Sequence, residues 1–362
     1  MDDRPPLSAL LSQVLVAFTI EFDNEFEHRV PHRTTNYGST GGSSSAPWLV
    51  SMAMWLHLMQ FVPEEGIQAK ELYRRTRLSP KTFRMFLIRM SKWWGYVRVS
   101  ESLVQPTPGG LKALGTWNGL TEEIEKRWRK RFGPELIDPL RDQLQYLGQK
   151  SALDYPDFLP ILGYELRNEI PGLKSLRPGG DVTASRVGGL PVLLSNLLLA
   201  FAVEFERDSG LSLAVCANLL RHARDEGLRV RDIPRLSGVS KEATTMMLRR
   251  AQECSLGVIQ VDPCRKLVKQ FVLTSNGQRA REEYWGLARN IEMRWKDDLG
   301  GNRLTKLRNL LEHLVNDPSP DKPLLFKGLK PYAKGWRASV PPVEHLPHYP
   351  MVLHRGGFPD GS

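Results

Sequence analysis

The chain is 362 residues long, enough for two domains of ordinary size with connections, and its 41% hydrophobic and 25% charged residues are those of a globular protein. Its 50 Lys and Arg against 40 Asp and Glu leave a net charge of +10, which points to a polyanionic partner. Cys216, Cys254 and Cys264 form no CxxC pair, the MDDRPP start is no signal peptide, and the apolar run at 190–203 is too short and too interrupted to span a bilayer. The expectation is a cytoplasmic protein without a disulfide framework, zinc site or membrane segment.

In chain order, Leu7, Leu10, Leu11, Val14, Phe18 and Phe22 fall at helical spacing and predict a first helix. Residues 27–47 read as a flexible Gly/Ser-rich insertion, and His28 and His32 within it lack a third strong ligand, so no metal is expected. The stretch AKELYRRTRLSPKTFRMFLIRMSKWW, from Ala69, reads as helix, turn and helix, with Ser79 as N-cap and Pro80 at the first helical position. YVRVSESLVQPTP, from Tyr96, reads as a short hairpin. A long helix over Lys112–Phe132 and a last one carrying Leu140, Leu144 and Leu147 complete a unit over 1–148. Residues 149–189 read as a linker on an extended surface path.

The plan then recurs over 190–316. LSALLSQVLVAFTIEF from Leu7 matches LPVLLSNLLLAFAVEF from Leu190 without gaps, and LTEEIEKRWRKRFG from Leu120 matches LARNIEMRWKDDLG from Leu287. The offsets of 183, 161 and 167 in successive blocks place about 22 extra residues after the first helix of repeat 1 and about six in the hairpin of repeat 2. Between the end helices, repeat 2 predicts a helix over Leu213–Glu226, a short one ending at Gly238, and a second helix capped by Ser240. A hairpin around Asp262–Lys266 follows, then helices over Gln278–Leu299 and through Leu307, Leu311 and Leu314. The Pro-rich tail, 317–362, carries apolar residues that predict packing on the body. The fold class expected is mainly α with small β wings (α+β): two winged helix-turn-helix repeats fused head to tail.

The stretch VSKEATTMMLRRAQECSLGVIQVDPCRKLVKQFVLTSNGQRA resembles the MarR family of regulators: a Ser-capped helix at Ser240, a wing with Asp262, Arg265 and Lys266, and an LT-x-x-G start of a long helix at Leu273, Thr274 and Gly277. The resemblance covers roughly 270 residues. Repeat 1 departs from it in a shorter wing and in TPGG at the LT-x-x-G position. It implies an intramolecular pseudo-dimer, a monomer in which each repeat plays one subunit, and a small aromatic effector. Trp55, Trp93, Trp94, Trp117 and Trp128 suit either such a pocket or plain core.

The second helix of each helix-turn-helix is the part that fits a major groove. Candidate DNA contacts are Ser79, Lys81, Thr82, Arg84, Arg89 and Arg98 in repeat 1, and Ser240, Lys241, Thr244, Thr245, Arg249, Arg265 and Lys266 in repeat 2. From Gly66 to Arg98 nine cations face one acid, Glu71, a concentration suited to phosphate. The reading is a sequence-specific regulator of transcription, a repressor, that binds double-stranded DNA at an asymmetric operator. The alternative is a tandem winged-helix scaffold for protein partners, which a diluted basic face on repeat 2 (Glu242, Asp232) would favour. No GxSxG, HExxH, phosphate-cradling loop or carboxylate pair suggests an enzyme or a cofactor.

Overall fold

The computed structural model describes residues 4–33, 46–151, 157–159, 189–262, 265–317, 323–340 and 342–351. Most of the 27–47 insertion, most of the 149–189 linker, Pro263, Cys264 and the last eleven residues lie outside them. Helix α1 (Leu7–Arg29) is apolar on all sides over its first turns, and every residue from Leu7 to Glu27 except Gln13 is buried. It runs two turns beyond Phe22 into the region expected to be insertion. Its counterpart is α8 (Leu190–Ser209), which has the same character.

Between these and the C-terminal helices each half has the same elements. Repeat 1 has α2 (Met52–His57), β1 (Ile67–Gln68), α3 (Ala69–Thr76), α4 (Pro80–Ile88), β2 (Val97–Ser100) and β3 (Leu103–Pro106). Repeat 2 has α9 (Leu213–Asn218), β4 (Leu228–Arg229), α10 (Ile233–Ser237), α11 (Lys241–Glu253), β5 (Gly257–Asp262) and β6 (Arg265–Leu273). The two antiparallel sheets have matching orders, β1-β3-β2 and β4-β6-β5. Mainly helical, with two small sheets whose strands flank a helix-turn-helix, the molecule fits the α+β winged-helix plan. The helix expected over Leu213–Glu226 ends at Asn218; a 3₁₀ turn follows and the chain reaches β4, because Gly227 (φ +96°) turns it into the sheet.

The start of the long helix is built alike in both halves. Thr107 and Thr274 cap it by accepting from the amides of Gly110 (3.0 Å) and Gly277 (3.1 Å). A Cβ at Gly110 would lie 2.1 Å from the Tyr96 carbonyl oxygen, and one at Gly277 1.8 Å from that of Leu256. Close helix-to-strand approach demands glycine at both, so TPGG serves as well as TSNG.

Beyond this point the halves diverge. Repeat 2 continues as one helix, α12 (Ser275–Leu299). The single helix expected over Lys112–Phe132 is instead α5 (Pro108–Trp117) and α6 (Leu120–Phe132), broken where Asn118 leaves the helix and Gly119 takes φ +88°. Asn-Gly is a turn signal, and it prevails over the flanking periodicity. Helices α7 (Pro134–Ser151) and α13 (Gly301–Val315) close the halves.

Helix α1 packs on α8, α7 on α13, and each first helix on the other half's last one. The ends of this four-helix core are tied reciprocally. Glu125 on α6 accepts from the Leu190 amide at the start of α8 (2.6 Å), and Glu292 on α12 accepts from the Leu7 amide at the start of α1 (2.7 Å). Arg141 (2.6 Å) and Arg308 (2.7 Å) hold those two carboxylates in turn. Each half thus supplies the anion for the other half's helix N-terminus, where backbone N–H groups lack partners. Indole N–H groups of Trp128 and Trp295 donate to Glu21 (2.9 Å) and Glu204 (2.7 Å) within their own halves.

Tail residues 323–340 lie against the polar end of α1. Buried Arg337 donates to Asn24 (2.8 Å) and stands 3.5 Å from Asp23, whose carboxyl burial pushes up to about 7 despite that cation. Glu27 accepts from the backbone amides of Trp336 and Arg337, and His28 stacks on Tyr332 at 3.9 Å.

Candidate nucleic-acid interface

Helices α4 and α11, the second of each helix-turn-helix, owe their placement to their caps. Ser79 Oγ accepts from the Thr82 amide (3.2 Å) and Ser240 Oγ from the Ala243 amide (3.0 Å), and both serines are buried. Their hydroxyls are committed to the helix start, so they position the helices and leave the set of outward contacts. Thr82 (4% exposed) and Thr244 (3% exposed) leave it too. Apolar neighbours at helical spacing, Phe86 and Met90 below Thr82, Met247 and Leu248 below Thr244, turn these threonines inward with the core face. Arg89 is also drawn in: it is half-buried, and burial holds its guanidinium below the usual arginine range.

What remains outward on α4 is Lys81, Arg84 and Ile88, one stripe at i, i+3 and i+7. Arg98 on β2, in the wing, is exposed as well. Among the described residues Lys81, Arg84, Lys92 and Arg98 have no ion-pair partner, whereas Arg74 and Arg75 are both held by Glu71 at 2.8 Å. Within the basic run Arg74 and Arg75 are thus satisfied by Glu71, while Lys81 and Arg84 on α4 and Arg98 on β2 are not paired.

Helix α4 ends in a feature the sequence did not announce. Arg89–Trp93 forms a π-turn, which absorbs the one residue by which repeat 1 exceeds repeat 2 between this helix and the wing. It leaves Trp93 62% exposed, unlike Trp55, Trp94, Trp117 and Trp128, which are core. Comparing the two copies residue by residue across this stretch would have revealed the insertion.

The second head is different in charge. Lys241, Glu242, Thr245 and Arg249 face outward on α11. Glu253 neutralises Arg249 (2.8 Å) and also meets Arg250 (3.3 Å), while the Thr245 hydroxyl donates back to the Lys241 carbonyl (2.9 Å). Its wing is longer and exposes Val258, Val261 and Leu267; Arg265 and Lys266 open β6, their side chains outside the described residues.

A cavity of about 480 Å³ opens at the α5–α6 break, lined among others by Met52, Leu56, Trp117, Glu122, Glu125 and Asp157. Repeat 2, with its unbroken α12, has Tyr284 and Trp285 at the corresponding place. Among the described residues no group of three or more His, Cys, Asp or Glu could hold a metal, and no helix is long and apolar enough to cross a membrane.

No family model matches the chain, and no curated protein matches it in sequence. Among solved structures it is similar to a MarR-family transcriptional regulator from Rhodococcus sp. RHA1, at 19% identity and TM-score 0.28 over 34% of this chain and 90% of that one. It is similar to CouR from Rhodococcus jostii RHA1 bound to p-coumaroyl-CoA (18%, TM-score 0.27, 34% of this chain and 88% of that one). It is likewise similar to the regulator Tm0710 from Thermotoga maritima (22%, TM-score 0.26, 34% and 90%).

Proposed function

We propose that the chain is a sequence-specific double-stranded DNA-binding regulator of transcription, a repressor, acting as an intramolecular pseudo-dimer. The observation that carries this reading is the set Lys81 and Arg84 on α4 and Arg98 on β2: exposed cations without acidic partners among the described residues, on a helix-turn-helix and its wing. A reading helix needs such a face, since phosphates supply affinity and base edges supply specificity. The reciprocal bonds of Glu125 with Leu190 and Glu292 with Leu7 support a two-fold-like pairing of repeats 1–148 and 190–316. Because Lys81, Arg84 and Ile88 correspond, at the offset of 161, to Glu242, Thr245 and Arg249 of the other copy, the operator has unlike halves, about one helical turn apart. The cavity at the α5–α6 break is the proposed place of a small effector.

The test is a salt-dependent titration on genomic fragments, wild type against Lys81→Ala, Arg84→Ala, Arg265→Ala. Steep salt dependence and loss of affinity in the variant are the expected result. Binding no better than to random DNA would sink the reading in favour of a protein-interaction scaffold. One observation favours that second reading: the wing of repeat 2 presents Leu267, 99% exposed, with Val261, 53% exposed.

A further inference from the structure

Two segments outside the repeats dock in the same way. Asp157–Leu159, in the linker, lies on repeat 1, where Phe158 and Leu159 are buried. Residues 342–351 of the tail lie on repeat 2, where Leu346, Tyr349 and Met351 are buried. His57 Nε2 donates to the Leu159 carbonyl (2.8 Å); Asn218 Nδ2 donates to the Tyr349 carbonyl (2.7 Å). His57 and Asn218 each end the second helix of their half and stand 161 residues apart, the offset that also separates Ser79 from Ser240.

The other end of each segment meets the turn of the helix-turn-helix. Asp157 stands 3.9 Å from Arg77, the left-handed residue (φ 53°) that ends α3, and accepts from Gln60 (3.0 Å). At the same offset of 161, Gly238 (φ 76°) ends α10, and the backbone of His345 passes so close that a Cβ at Gly238 would lie 2.3 Å from its carbonyl oxygen. The second segment is held further by Asn218 Oδ1, which accepts from the His348 and Tyr349 amides (3.1 and 3.2 Å), and by Ser12 of α1, which donates to the Pro347 carbonyl (2.7 Å).

We propose that these segments are one duplicated element, a strap that each repeat lays from its helix-turn-helix turn to its second helix, and that the strap sets the angle of that repeat's reading head. A short turn and a short second helix are the joints between head and four-helix core. Bridging them with buried side chains and buried hydrogen bonds removes the freedom of the head to swing. His57 extends the bridge in repeat 1, since its ring packs on Phe158 (6.4 Å between centroids) and on Phe86 of the reading helix (5.3 Å). His57 and Asn218 are then positioning residues for two heads that are held independently.

The test is hydrogen exchange on the full chain, wild type against Asn218→Leu and His57→Leu. Asn218→Leu is expected to quicken exchange of 342–351 and of the head at 228–273 by about tenfold or more, leaving 67–106 at its rate. His57→Leu is expected to quicken 67–106 alone, and His57→Asn, which keeps a donor, to restore it. Ser12→Ala removes only the bond to Pro347 and should reproduce the Asn218 pattern at smaller amplitude in a folded chain. Release of 342–351 without change in 228–273, or equal quickening of both heads, overturns the proposal. The consequence for DNA rests on the DNA-reading proposal: the footprint of Asn218→Leu is expected to fade over one half-site only. If wild type binds no DNA that reading falls, and the exchange pattern still decides the strap.

Discussion

Gly110, Gly277 and His57 show how single residues are set by their surroundings. Gly110 and Gly277 sit where a strand carbonyl leaves no room for a methyl group. Replacing either with Ala should cost about 1–3 kcal/mol through forced displacement of the helix, read as a fall in the denaturant midpoint. Lys81 and Arg84 should behave oppositely: Ala at either leaves the melting temperature unchanged, but lowers DNA affinity and reduces the salt slope by about one for each phosphate no longer neutralised. His57 is buried, and burial lowers its pKa to about 4 from the ordinary 6.5, against the bond to the Leu159 carbonyl. The unfolded chain takes up a proton near 6.5 while the folded chain does so only near 4. Stability is therefore full above that window and falls as pH drops through it, by on the order of 3 kcal/mol for this group. Urea midpoints between pH 7.5 and 4.5 check this, and His57→Asn should flatten the decline; an unchanged profile would remove His57 as its cause.

At the scale of elements, the caps and the helix break show where local signals suffice. Ser79-Pro80 and Ser240 were legible as helix starts because a cap is a bond between residues three apart. Asn118-Gly119 was present in the sequence as a turn signal, but the periodicity on both sides read as continuous helix. Gly119→Ala, at φ +88°, should destabilise the chain by roughly 1 kcal/mol. It should also narrow the cavity if the helix straightens, which quenching of Trp117 fluorescence by a soluble quencher would report. Asp157 of the first strap lines that cavity, so a bound molecule there would touch the element that holds the first head.

At the scale of the molecule, the proposed pairing of two reading heads on one chain has consequences for assembly and recognition. With both heads on one chain, DNA affinity should be independent of prior protein dilution, unlike a dissociating dimer. Symmetrised operators built from either half-site should bind more weakly than the natural one. Tighter binding to a symmetrised site would refute the asymmetric reading. Glu125→Gln and Glu292→Gln remove equivalent anions from opposite helix N-termini, so each should lower stability by a similar amount, about 1 kcal/mol.

The sequence by itself determined the end helices, the order of helix, turn, helix and hairpin, and the serines that cap the second helices, because periodicity and capping act over a few positions. It also marked the basic run around α4. Only the tertiary structure decided which members of that run are available. Thr82, Thr244 and Arg89 turn inward, and Arg74 and Arg75 are consumed by Glu71, since these depend on the angle at which the helix meets the core. The exchange of Glu125 and Glu292 between halves and the two straps were hidden for a simpler reason. Their partners lie 65 to 285 residues apart, and pairings at that separation are selected by packing of the whole chain rather than by any local pattern.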